Sequence, residues 1–95
     1  MTTVDNIKKT LTERFYPTHL EVHDDSAAHA GHPGASSGGG HYTVVIVAET
    51  FSTHSTVSRH RLVYAALHEE MKENIHALGL QAFTPSEWQS RQEAR

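Results

Sequence analysis

The sequence predicts an α+β fold. Six elements run α-β-β-α-β-α and build a three-stranded mixed sheet with helices on one side. Three observations carry this. Residues 41–48 (His-Tyr-Thr-Val-Val-Ile-Val-Ala) are apolar on both faces, as a central strand requires. Residues 58–71 repeat apolar side chains at helical spacing. Residues 76–83 then alternate as another strand, and a strand–helix–strand unit favours a right-handed parallel crossover.

The elements follow in order. Val4, Ile7, Leu11 and Phe15 recur at helical spacing, Asp5 suits the positive N-terminal end, and Pro17 stops the helix. Leu20 and Val22 alternate with Glu21 and His23 as a half-buried strand, closed by the turn formers Asp24, Asp25 and Ser26. Residues 26–40 turn abruptly to Ala, Gly, Ser and His. A loop this long inside a compact domain is functional or disordered. The strand at 41–48 pairs antiparallel with the first. After a Ser/Thr-rich turn at 51–57, Ser58 caps the second helix. Val63, Leu67 and Met71 form its core stripe, widened by Leu62 and Ala66, with His60 and Tyr64 at the edge and Asn74 as the stop. Leu78, Leu80 and Ala82 share the core face of the last strand. Thr84-Pro-Ser-Glu87 is a capping box that starts the final helix, from which Trp88 and Arg91 pack back.

The 95 residues fit a single domain with one long loop at 26–40. A domain this small buries only about 60–65% of its unfolded surface, so a site should be shallow. Cysteine is absent, which excludes disulfides, thiolate nucleophiles and a protein-only cysteine metal site. The nine histidines are the transition-metal donors, because imidazole suits Zn, Cu, Fe and Ni. His41 and His76 open strands, and His29 and His32 sit in the loop. Most of the others, including His19, His54 and His68, read as solvated surface. The net charge of −3 gives no general attraction to nucleic acid. No apolar run approaches the ~18 residues of a membrane span, and no apolar h-region opens the chain. These points predict a protein inside the cell, in the cytoplasm or in a plastid or mitochondrion after transit-peptide removal.

Several segments together resemble one family. Leu20-Glu-Val-His-Asp-Asp-Ser26, His41-Tyr-Thr-Val, Ser58-Arg-His-Arg-Leu-Val-Tyr64, Ile75-His-Ala-Leu78 and Thr84-Pro-Ser-Glu-Trp88, in this order, are similar to BolA-like proteins. The likeness spans roughly residues 7–88. It implies a fold similar to class II KH domains. It also implies a monothiol glutaredoxin as partner, and a shared 2Fe-2S cluster in iron–sulfur trafficking, iron regulation and stress responses. Some members bind DNA, and one branch is UV-inducible. The resemblance makes His76 the constant ligand and His29 the loop ligand. His32, offset along the loop, and His41 stand in reserve. The loop departs from the family pattern, being longer and richer in glycine. A 2Fe-2S cluster takes four ligands, so the thiolates must come from a glutaredoxin and glutathione. Imidazole ligation raises the potential and, because only the neutral ring ligates, is sensitive to pH. The chain alone should be a monomer.

Two other constellations compete with bland readings. Arg59-His60-Arg61 at a helix start, with Lys72, could grip phosphates or a partner's glutathione carboxylates. The same residues could equally be a solvated helix end. The Gly-x-x-Gly backbone clamp of KH domains is missing between residues 51 and 58. Glu21, His23, Asp24 and Asp25 could hold Mg²⁺ for DNA endonuclease chemistry, although acidic residues at a strand end usually just form the turn. A His-rich loop could also bind a divalent metal unaided.

Overall fold

The structure is a computed structural model in which residues 2–26 and 40–93 are described. His29 and His32 therefore lie outside the described residues. The chain runs α1 (Thr3–Phe15), β1 (His19–Asp24), β2 (Gly40–Val47), a 3-10 turn (Glu49–Thr53), α2 (Thr56–Ala66), α3 (His68–Glu73), β3 (Ile75–Phe83) and α4 (Pro85–Glu93). The α+β class, the element order and the three-stranded mixed sheet are as the sequence predicts.

The sheet order is β1-β2-β3, with β2 central, antiparallel to β1 and parallel to β3. Alternation explains its two faces. Tyr42, Val44, Ile46 and Ala48 point into one core together with Ile7, Leu11, Phe15, Phe51, Val63 and Leu67. Leu20 and Val22 of β1 and Leu78 and Leu80 of β3 border the same core. The helices α1, α2 and α3 thus lie on one side of the sheet. Val47 is fully buried on the other face, in the row His19–Val47–Phe83. There α4 closes the end of the sheet through Trp88, whose ring lies 4.9 Å from that of His19 and 5.5 Å from that of Phe83. Arg91 sits 5.3 Å over Phe83. His19 is therefore a packing residue and not free surface, because an aromatic from the last helix needs a flat partner on β1.

Local signals set the helix ends. Thr2 and Asp5 form a capping box for α1, and Tyr16 ends that helix in the left-handed region before Pro17. Thr84 and Glu87 form the expected box for α4, with reciprocal bonds of 3.1 and 2.9 Å. The second helix differs from expectation in two ways. Its cap is Ser55, whose Oγ accepts from Ser58 N–H at 3.2 Å, so Ser58 lies inside the first turn. The stretch is also divided at Leu67, whose ψ of 17° separates α2 from α3. The bond from Leu67 N–H to Val63 C=O, 3.0 Å, keeps the two pieces nearly continuous. Among the described residues no helix is long and apolar enough to cross a membrane.

Candidate functional site

At one end of the sheet β2 and β3 begin side by side. Gly40 pairs with Ile75 and His41 with Ala77, so the register slips by one residue and leaves His76 as the extra residue on β3. A bulge of this kind re-aims the side chain it carries. Here it brings the His76 ring to 5.2 Å from that of His41, inclined at 44°. His76 is exposed and His41 half-buried. Sequence reasoning placed both at strand starts and held His41 only in reserve, because a slip in register leaves no mark in composition.

The same corner anchors both ends of the segment 27–39. On one side Asp25 N–H donates to His41 C=O at 2.7 Å, and His41 N–H donates to Ser26 Oγ at 3.1 Å. The Thr43 hydroxyl donates to the Asp25 carboxylate. On the other side Gly40 N–H donates to Asn74 C=O at 2.9 Å. Gly40 leaves room for two side chains that close over it. A Cβ there would stand 2.7 Å from Ser26 Oγ and 2.7 Å from the Tyr42 ring.

The chemistry of the donors decides what this corner can hold. It offers two adjacent imidazoles, and the chain has no thiolate. Among the described residues no group of three His or carboxylate side chains converges as a metal site. Among the described residues the corner thus offers two imidazoles, a donor set that would suit a share in a metal centre.

The acidic constellation does not assemble. Glu21 is held between two histidines, at 2.6 Å from His19 Nε2 and 2.9 Å from His23 Nε2. These hydrogen bonds, His19 first, hold its carboxyl below the usual range. Asp24 instead accepts from Ser26 N–H at 2.9 Å, its carboxyl lowered first by the Ser26 side chain and then by that N–H, and Asp25 accepts from Thr43. Each carboxylate satisfies a local donor in its own direction, so the expected Mg²⁺ site at Glu21, His23, Asp24 and Asp25 is not formed.

The basic helix start is also rearranged. Arg59 is only 7% exposed. Its Nε donates to Phe51 and His54 carbonyls at 3.1 and 2.9 Å. Its Nη1 donates to Ala82 C=O at 3.2 Å and to Glu87 Oε1 at 2.6 Å, while Nη2 reaches Glu87 Oε2 at 3.2 Å. This guanidinium ties the 3-10 turn, the end of β3 and α4 together. It is not displayed to an anion, because a buried cation must find its partners inside. Of the other expected anion binders, Arg61 and Lys72 are exposed on α2 and α3 and His60 is half-buried. The signal that could have found the clamp is Glu87, which caps α4 and also faces the one arginine at helix spacing from the core residue Val63.

The family model described as BolA-like protein matches residues 11–87. "BolA-like protein 1" of Homo sapiens is 42% identical over 82 residues, covering 86% of this chain and 58% of that protein. The chain thus spans little more than half of that relative's length. "DNA-binding transcriptional regulator BolA" of Escherichia coli K12 is 36% identical over 89 residues, 94% of this chain and 82% of the relative. The solved BolA domain of SufE1 from Arabidopsis thaliana superposes with a TM-score of 0.80 at 38% identity, covering 92% of this chain and 96% of that one.

A prediction follows from the clamp. Hydrogen bonds from Arg59, then from Thr84, hold the Glu87 carboxyl below its usual value of 4.5. A carboxyl lowered on folding adds stability that is complete above its unfolded value and is lost as pH falls through the folded one. Urea midpoints measured downward from neutral pH should fall more steeply for the wild type than for Glu87→Gln, and the two curves should draw together in acid. Glu21 and Asp24 titrate in both proteins, so the difference isolates Glu87. Parallel curves would show that the pair contributes nothing.

Proposed function

This chain belongs to the BolA-like protein family, and from that premise we propose that it lends imidazoles to a 2Fe-2S cluster shared with a monothiol glutaredoxin. The observation that carries the reading is the ring pair His41–His76, 5.2 Å apart, in a chain without cysteine. His76 stands exposed on its bulge and is the ligand offered to the partner. His29 follows Ser26 by three residues, a covalent reach of at most about 11 Å from the anchored end of β1. That distance allows it to act as the second ligand, with His32 or His41 as substitutes. The partner's cysteine and its glutathione supply the two sulfur ligands.

Within this reading the chain's own residues do mechanical work. The bulge fixes where the His76 ring points. Half-buried His41 supports it from the central strand. Ser26, Gly40 and Asn74 hold the two roots of the intervening segment beside the ring pair. The cluster itself would bring one-electron chemistry and transferable iron and sulfide. The role is in iron–sulfur trafficking and iron regulation rather than in turnover of a substrate.

A glutaredoxin loaded with cluster provides the test. Adding the wild-type chain should change the visible circular dichroism of the cluster. His76→Ala should leave the spectrum of the glutaredoxin alone, while its thermal unfolding matches the wild type because the side chain is exposed. A spectrum indifferent to the wild type, or identical with His76→Ala, rejects the proposal.

One observation favours a second reading, the likeness to the Escherichia coli protein named as a DNA-binding transcriptional regulator. With Arg59 enclosed, the exposed cations left of this constellation are Arg61 and Lys72, so DNA binding through it would be weak. Two phosphate contacts give a slope of about −2 in log affinity against log salt. Anisotropy titrations of labelled duplex at several salt concentrations should show that slope, halved in Arg61→Ala. No shift at low salt would remove this reading.

A further inference from the structure

Among the described residues the outer edge of β3 faces no strand. Peptide direction along it follows from one bond. Phe83 C=O accepts from Ala48 N–H, at 3.0 Å, on the side of β2. In a parallel ladder the N–H and C=O of one residue face the same way and alternate along the strand. Ala77, Gly79, Gln81 and Phe83 therefore turn inward, and Leu78, Leu80 and Ala82 turn outward. Two of those outward carbonyls are taken by side chains of α2. Tyr64 Oη donates to Leu78 C=O at 2.9 Å, and Arg59 Nη1 donates to Ala82 C=O at 3.2 Å. Leu80 lies between them, beside an open groove of about 450 Å³ against Thr56 and His60.

The spacing of these caps is symmetric about Leu80. If β3 met β3 of a second copy antiparallel with Leu80 opposite Leu80, the two leucines would exchange both their bonds. Each Leu78 carbonyl would then accept from Ala82 N–H of the other copy, and each Ala82 carbonyl from Leu78 N–H. The pairing is isologous and closes as a two-fold dimer. The carbonyls it needs beside Leu80 are the two that α2 occupies.

We propose that Tyr64 and Arg59 guard this edge, and that releasing it turns the chain into a β3–β3 dimer centred on Leu80. An uncovered edge strand is a template for pairing, and side chains that cover it are a known defence. Tyr64 is the removable guard. It is 37% exposed, and among the described residues its side-chain bond is to the edge. Arg59 is the secondary guard, since the same Nη1 is held more closely by Glu87, at 2.6 Å, and the Ala82 carbonyl keeps a second lone pair.

The test compares wild type, Tyr64→Ala and Tyr64→Phe by sedimentation and by amide exchange. The wild type should stay monomeric at every concentration, with rapid exchange at Leu80. Tyr64→Ala should dimerise as concentration rises, and its Leu80 amide should slow by at least about tenfold. Tyr64→Phe, which keeps the ring and loses the hydroxyl, should show the same change more weakly; it carries the test alone if Tyr64→Ala does not fold. A folded Tyr64 variant that stays monomeric at the highest concentration overturns the proposal. So does a dimer whose Leu80 amide exchanges as fast as in the wild type.

Discussion

Everything in this protein depends on the parallel pairing of β2 with β3. The two strands are far apart in sequence, and only the α2–α3 crossover brings them together. Their ladder runs from Gly40–Ile75 to Val47–Phe83, with the core on one face and the row under Trp88 on the other. Its single slip, at the Gly40/His41 step, brings the rings of His41 and His76 together. Without the slip, His76 would take its place in the regular alternation along β3. With it, the ring turns toward His41 at the corner where residues 27–39 leave and rejoin the sheet.

The crossover that builds this ladder is fastened by Arg59. A charged side chain with so little exposure is costly unless every donor is used. Here the donors reach the 3-10 turn before α2, the last residues of β3, and the cap of α4. One guanidinium thus sets where the crossover begins and where it ends. It also covers a carbonyl on the open edge of β3. The same residue so serves packing, helix capping and the protection of an edge, which leaves little of it for binding a ligand.

Much of this was legible in the sequence. The double-faced apolar run at 41–48 announced a central strand, because only a strand covered on both sides tolerates Val-Val-Ile-Val. Thr84-Pro-Ser-Glu87 announced α4 through a cap that depends on local chemistry alone. Features that depend on partners distant in sequence were hidden. Ser55 and Ser58 are equal as caps on paper, and tertiary packing of the turn before α2 chose Ser55. The break at Leu67 has no Gly or Pro to signal it. Arg59 read as an anion binder or a solvated helix end because its acceptors, carbonyls of the 3-10 turn and β3 and the Glu87 carboxylate of α4, are scattered along the chain, and His19 looked solvated because Trp88 lies 69 positions away. The histidine at 76 was legible as a candidate from the family resemblance and that at 41 only as a reserve from its place at a strand start, whereas the nearness of the two rings follows from the register.

In the proposed function the metal donors of this chain are imidazole nitrogens that reach a cluster held by another protein. Pulsed electron paramagnetic resonance of the reduced complex tests it most directly, with only this chain labelled by ¹⁵N-histidine. The account predicts strong nitrogen couplings that change from the ¹⁴N to the ¹⁵N pattern when the labelled chain is used. Couplings that ignore the label, or a spectrum with no strongly coupled nitrogen, would contradict it.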